Sequence, residues 1–425
     1  MNKKFWLDCV FGTIFIFGMM WMFFNVSQFG IFDAFDPIGE ALDDMEMTDV
    51  AFSQLRKDPV PDTNIVLVNF GEISRAKIAE QVAIINKYDP AVIGFDSFFD
   101  FLSPDTLGDL ALSNALAEVK NLVMVTKLLQ TDSIIMLGEG LDIYDSLEIS
   151  HPIFVKNAHL AFANLDTEAA NQEDFKTCRA FPTMRMVNEE QHVAFAVKMA
   201  ELYDSEKAQN LLERDNPFEI INYRGNLVDF FGRTGYPNMF YALDVDDVFN
   251  ENFVPEMIKG KIVIFGFLGK DFFDTSWDDK FFTPLNKDYA GKANPDMYGA
   301  VVHANIISMI LKEDYVNELN DKEGFGILLA IIICFLNITL FSYIYHVLPP
   351  WYDGITKIIQ LIEIMLIIFL MVIVFSEYSF KLNLVITLAA IALAGDGLEV
   401  YYGVVKNLFN KESRKLLFTI RHKRV

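Results

Sequence analysis

Lys259 to Phe267 read K-G-K-I-V-I-F-G-F, and after an acidic loop Asp296 to Leu311 read D-M-Y-G-A-V-V-H-A-N-I-I-S-M-I-L. The first stretch is a short apolar run, Ile262 to Phe265, stopped by Gly266. That is the pattern of a buried strand ending in a glycine turn. In the second stretch Val301, Val302, Ile306, Ile307, Ile310 and Leu311 recur at helical spacing, which predicts a helix beginning just after Gly299. A membrane-length apolar run opens at Gly324, so a core element of a soluble domain is wired almost directly to a bilayer span.

Working outward, Asn64 to Phe70 reads as a buried strand, Ser74 as the cap of a helix to about Tyr88 with Ile78, Val82 and Ile85 inside, and Ala91 to Phe95 as a second strand ending at Asp96. This strand–helix–strand unit predicts a parallel pair with a right-handed crossover. Further on, Asp109 to Lys120 and Gln191 to Leu202 read as helices, and Leu122 to Val125 and Ala158 to Asn164 as strands. Leu128 to Val155 is weakly patterned and reads as loop, and Gly30 to Val60 as an acidic, irregular approach to the domain.

These elements carry a resemblance. The strand Lys261 to Gly266, Asp274 in the following loop, Thr283 to Leu285 and the G-A-V-V-H-A-N of Gly299 to Asn305 resemble the C-terminal half of the CHASE type-2 domain, an extracytoplasmic sensor module of bacterial signalling proteins. The G-F-D of Gly94 to Asp96, the A-N-L-D of Ala163 to Asp166, the C-R-A-F-P of Cys178 to Pro182, the Ile220 to Gly225 segment and the D-V-D-D-V-F of Asp244 to Phe249 extend the resemblance over roughly Val60 to Leu311. Two features of the family pattern are missing. N-F-G-E (Asn69 to Glu72) replaces the aspartate that ends the first strand, and the W-P-W-P-R segment before the first helix is absent. A ligand site built from those residues in relatives is altered here.

Composition agrees with a membrane protein that has one acidic soluble domain. Of 425 residues 52% are apolar and 40 are phenylalanine. The net charge is −23, with one net positive charge before Val26 and two from Glu323 onward, so the segment between holds the whole imbalance. That excludes nucleic acid as a partner, since phosphate binding needs a basic face. Of the three cysteines, Cys9 and Cys334 fall in apolar runs and Cys178 stands alone, so no disulfide framework is expected.

The apolar runs Phe5 to Phe24, Gly324 to Val347, Ile355 to Phe375 and Phe380 to Val404 are each long enough to span. For the first, a signal peptide is the competing reading, but no small-x-small cleavage site follows and an uncleaved anchor is favoured. Lys3 and Lys4 before the first run, and the basic tail from Lys406 on, belong on the cytoplasmic side. Four spans then leave the acidic domain outside. Pro349 and Pro350 stop the second span and Ser376 to Phe380 reads as a tight turn.

The expected fold class is therefore an α/β ectodomain with a mixed, mainly parallel sheet flanked by helices, plus four transmembrane helices, one N-terminal and three C-terminal. The expected divisions are an anchor at 1–25, a periplasmic sensor-like domain at 26–323, three spans at 324–404 and a basic cytoplasmic tail at 405–425. The expected location is the bacterial inner membrane, multi-pass, with both termini inside.

Candidate chemistry is sparse. No nucleophile elbow, P-loop or H-E-x-x-H occurs, and the Asp271 to Asp279 loop lacks the alternating spacing of a calcium loop. No enzyme activity, cofactor or metal is expected. In open α/β sheets ligands sit beyond the carboxyl ends of the strands. The candidates there are Asp96, Gly266, Gly269 and Asp274, with His303 on the following helix. The competing readings are turn glycines, capping aspartates and a buried core histidine.

In the spans, Glu363 and Asp396 lie roughly 12 Å from the cytoplasmic side at ~1.5 Å per residue, with no lysine or arginine expected deep enough to pair with them. Either they are protonated or hydrogen-bonded to each other or to Asn337, or they receive a polar group from another subunit. Ala390, Ala394, Gly395 and Gly397 would let another helix approach closely.

Two functions follow. One is a sensory membrane protein that binds a ligand or protein outside and relays it to a separate partner, since only about twenty residues follow the last span. The other is a docking subunit of an envelope complex. The expected partners are the lipid bilayer and a membrane or periplasmic protein, with an oligomer allowed.

Overall fold

The computed structural model describes residues 3–27, 49, 51–131, 143–165, 177–229, 235–287, 294–320 and 324–409. Two compact units divide the chain: Ala41–Val316, and Met1–Glu40 with Asn317–Val425.

The first unit is built on a sheet of eight strands: β1 Asp62–Asn69, β2 Val92–Asp96, β3 Leu122–Leu129, β4 Ser146–Ile149, β5 His159–Phe162, β6 Asn226–Leu227, β7 Asn238–Leu243 and β8 Ile262–Gly266. The order is β6-β7-β1-β8-β2-β3-β4, with β5 also on β3. All pairs are parallel except β3 with β4. The sheet is thus mixed and mainly parallel, as the sequence predicts. Strands buried on both faces need apolar side chains, which is why β8 and the Ile65 to Val68 part of β1 read as unbroken apolar runs.

Helices α1 Arg75–Asn86, α2 Thr106–Ala117, α3 Phe195–Tyr203, α4 Ser205–Leu212, α5 Val245–Phe249 and α6 Gly299–Lys312 flank the sheet. Val66, Val68, Ile93, Phe95, Val263 and Phe265 share one core with Ile78, Val82 and Ile85 of α1 and Leu112 and Leu116 of α2. By the pleat, Gly94 and Gly266 face the other side. A Cβ at Gly94 would clash with Met199 and Phe195 of α3, and one at Gly266 would come within 2.5 Å of Ala300 Cβ on α6. Both glycines therefore set how closely a helix approaches the sheet. Every residue of α6 from Gly299 to Leu311 is buried. Its six large aliphatic side chains and Met309 contribute on the order of 10 kcal/mol of gross burial, set against chain entropy.

Several elements differ from expectation. β1 and β2 are parallel but not paired, because β8 inserts between them: Val66 faces Val263, and Val263 faces Ile93. The helix expected from Gln191 begins only at Phe195. Gln191 to Val193 instead belong to a hairpin, Met184–Val187 with Glu190–Val193. Its turn residues Asn188 (φ 48°) and Glu189 (φ 70°) are both left-handed, the geometry that matches strand twist. Within the expected loop, β3 runs on to Leu129 and β4 pairs back on it. Residues 132–142 lie outside the described residues, as does Asp166 of the A-N-L-D segment.

In the second unit four helices are long and apolar enough to cross a membrane: Lys3–Met22, Gly324–Val347, Pro349–Tyr378 and Val385–Phe409. Lys406 pairs with Asp8 at 2.6 Å, so the start of the first span and the end of the fourth meet. The expected tight turn after the third span is a short strand. Ser379 (φ 50°) closes the helix in the left-handed region, and Phe380–Asn383 then pairs in parallel with Asn317–Asn320 ahead of the second span.

Candidate functional site

At the carboxyl edge of the sheet the organising residue is Asn69, fully buried at the end of β1. Its Oδ1 accepts from the Gly71 and Leu268 amides, each at 3.0 Å. Its Nδ2 donates to Asp244 Oδ1 at 2.9 Å and to the Gly269 carbonyl at 3.0 Å. Asp244 caps α5 through a capping box with Asp247 and also accepts from the Phe272 amide. An aspartate at position 69 accepts only; Asn69 does both, which is what a neighbour already carrying a carboxylate requires.

The residues expected at this edge fall beside Asn69 with distinct local roles. Gly266 continues β8 in register with Asp96. Gly269 has φ +93°, and a Cβ there would meet Asp274 Cβ at 2.6 Å and Tyr298 OH at 2.7 Å. Asp274 Oδ2 accepts from the Lys270 amide and Oδ1 from the Ser276 amide, and these backbone hydrogen bonds hold its carboxyl below the usual range. Asp96 has the opposite setting. Burial raises its carboxyl pKa, and the neighbouring Asp279 carboxylate raises it further. Asp279 lies at the N-terminus of α6: its carbonyl accepts from the Gly299 amide at 3.1 Å, and a Cβ at Gly299 would sit 3.6 Å from its Oδ1. The positive end of the helix dipole favours a carboxylate there, but burial outweighs it and raises the Asp279 pKa to about 6.

His303 is buried, edge-on to the Phe195 ring with centroids 5.1 Å apart, and its Nδ1 has no hydrogen-bond partner. Burial lowers its pKa to about 4, so the imidazole is neutral near pH 7. The hydrogen-bonding member of the same motif is Asn305. Its Oδ1 accepts from the Arg224 amide at 3.0 Å and the Gly225 amide at 3.4 Å, while its Nδ2 donates to the Gly225 carbonyl at 2.9 Å. Two stretches that resemble the family, Ile220 to Gly225 and Gly299 to Asn305, thus meet through one side chain.

At the amino edge, near the last turn of α6, Asp62 Oδ2 accepts from Ser308 Oγ at 2.7 Å and pairs with Lys312 at 2.8 Å. Burial opposes ionisation of Asp62, but hydrogen bonds from Lys312, Ser308 and the Asn64 amide outweigh it and lower the carboxyl. Close by, Arg224 binds Asp314 Oδ2 through Nε (2.9 Å) and Nη2, and Asn222 donates to the Asp314 carbonyl. Arg56 donates to Asn222 and lies over the Phe52 ring, 4.3 Å from its centroid. The sequence reading misses Arg56 altogether and takes Arg224 only as part of a motif.

In the span unit, Lys357 pairs with Asp396. The expectation that Asp396 has no cation within reach is corrected: the N-terminal part of the third span brings Lys357 to it. Asn337 interacts with the Glu363 carboxyl, while Glu363 Oε2 is buried without a hydrogen-bond partner. Gln360, which the sequence reading passes over, is buried and donates to the Ile391 and Ala392 carbonyls. The small residues of the fourth span serve this bundle itself. Ala390 and Ala394 lie in its core, Gly395 packs on Gln360 and Gly397 on Ile16 of the first span.

The sequence model of the CHASE2 domain matches residues 43–339, well over half the chain. No curated protein and no solved structure matches.

Proposed function

The chain belongs to the CHASE2 domain family, and from that premise we propose that it is a bacterial inner-membrane sensory protein whose periplasmic α/β domain binds a ligand or protein and relays the event through its spans to a separate partner. CHASE2 is an extracellular sensory domain family, and four apolar helices accompany it here. The family match is the observation that carries the proposal.

The orientation, with both termini cytoplasmic, is supported by Lys3 and Lys4 and by the Lys406–Asp8 pair, which joins the two outer ends of the bundle. A four-residue link, 313–316, runs from α6 to the strand Asn317–Asn320, which is paired with the strand ahead of the fourth span. That continuity makes α6 the natural element for a relay. Glu363 supports a partner in the membrane, since a half-buried carboxyl in an apolar span favours a polar group from another chain. The same observation favours a second reading, a docking subunit of an envelope complex.

The test is in-membrane cross-linking of the tagged full-length protein followed by purification in gentle detergent, for wild type and Glu363→Ala. The sensory reading expects a stoichiometric membrane protein whose yield falls in the variant and changes with growth condition. A constant yield under all conditions favours the docking subunit. A chain that purifies alone in both forms sinks both.

A further inference from the structure

A cavity of about 130 Å³ opens at the amino edge of the sheet, roughly ten times what one water needs. Among the described residues its walls carry Arg56, Lys57, Arg224 and Lys287 with Asp58, and Asp314 pairs with Arg224. In a chain of net charge −23 this is a local reversal of sign. The cations are also assembled by the fold. Arg56 is held by Asn222 and the Tyr223 carbonyl, Arg224 by Asp314, and Lys287 by the Gly235 carbonyl, so their positions are set before any ligand arrives. Phe52, Pro237 and Leu285 supply an apolar wall.

We propose that this cavity binds a small dianionic ligand, a phosphate ester or a dicarboxylate, between Arg56, Lys57, Arg224 and Lys287. The proposal deepens the sensory reading by naming the chemical class sensed, and it rests on that reading only for its purpose. Two guanidiniums near each other in a partly desolvated cavity repel. Burial lowers Arg56 to about 9, Arg224 adds to the lowering, and Asp314 only partly offsets it. A dianion placed between them removes that repulsion and accepts charge-assisted hydrogen bonds from the planar forks. With Asp58 and Asp314 counted, the four cations leave two positive charges, which a dianion balances and a monoanion does not.

The experiment is isothermal titration of the full-length protein in detergent with inorganic phosphate and, separately, succinate, each against matched sodium chloride. Arg56→Gln and Lys287→Gln are the variants, Lys287 because it sits at the rim and its loss leaves the core intact. Saturable binding of either probe is expected, weaker by about tenfold or more in Arg56→Gln, weaker in Lys287→Gln, and falling as salt rises. Equal heats in wild type and both variants mean only general stabilisation by an excluded anion and overturn the proposal. So does the absence of saturable binding of both probes. Failure here leaves the cross-linking test untouched, and loss of the membrane partner there leaves the binding result standing, so the two readings fall separately.

Discussion

Asp62 and Asp96 are aspartates in the same sheet, at opposite edges of it, and α6 runs between their surroundings. Asp62, at the amino edge, is buried yet ionises readily, because Ser308, Lys312 and the Asn64 amide all donate to it. Asp96, at the carboxyl edge, is opposed in ionising by burial and by Asp279. The difference is one of partners. A desolvated charge is tolerated in proportion to the donors that meet it. The amino edge uses its charges to hold α6 to β1 and gathers Arg56 and Arg224, each held by a partner, at the cavity wall. The carboxyl edge holds its loop by the neutral amide of Asn69 and sets Asp96 near a second carboxyl, Asp279. In open α/β sheets a ligand is looked for at the carboxyl edge. The cavity lined by Arg56 and Arg224 lies at the other edge, and none of Asp96, Gly266, Gly269, Asp274 or His303 lines it.

The strongest way to break this comparison is Asp62→Ala. It leaves Lys312 and Ser308 without their acceptor in a buried setting, and the expected cost is about 3 kcal/mol, discounted because Lys312 is half exposed. Chemical denaturation of the full-length protein reads it. A loss below about 1 kcal/mol means that Asp62 does not fasten the helix. Next in size is Asn69→Asp. A second carboxylate then faces Asp244 and the Gly269 carbonyl, and about 2 kcal/mol is lost near pH 7. Like-charge repulsion raises the folded-state pKa of the pair, so the deficit must shrink at pH 5. A deficit that is constant with pH points to lost packing instead of charge.

Much of this was legible in the sequence where the signal is local. β8 and α6 follow from apolar runs and spacing, and α1 from Ser74, Ile78, Val82 and Ile85, although Ser74 caps by position without a side-chain hydrogen bond. The insertion of β8 between β1 and β2 was not legible, because strand order is decided by tertiary pairing that a strand–helix–strand pattern does not encode. The hairpin at Met184 to Val193 was hidden because its left-handed turn uses Asn188 and Glu189 with no glycine. The cavity gathers residues from Phe52 to Lys287, and no window of sequence contains it. Asp396 was misjudged for the same reason: its cation is 39 residues away in sequence, on another helix.

The smallest expected effect gives the sharpest reading of the two aspartates. A carboxyl whose folded-state pKa is raised binds its proton more tightly when folded. Its contribution to stability is therefore complete below the ordinary value of 3.8 and is lost as pH rises from there through the folded-state value. Asp62 behaves in reverse: its contribution is present above 3.8 and is lost as pH falls through its lowered folded-state value. Asp96→Asn removes the first slope and leaves the second. The variant is expected to gain about 1 kcal/mol at pH 7, a figure kept small because Asp96 is only partly shielded from water. The gain should shrink toward zero as pH approaches 4, while the fall in stability at lower pH stays as in wild type. Parallel denaturation series from about pH 2 to pH 8 decide it. If the wild type and Asp96→Asn curves run parallel across that range, Asp96 is an ordinary solvated carboxylate, and the two edges of the sheet differ in geometry alone.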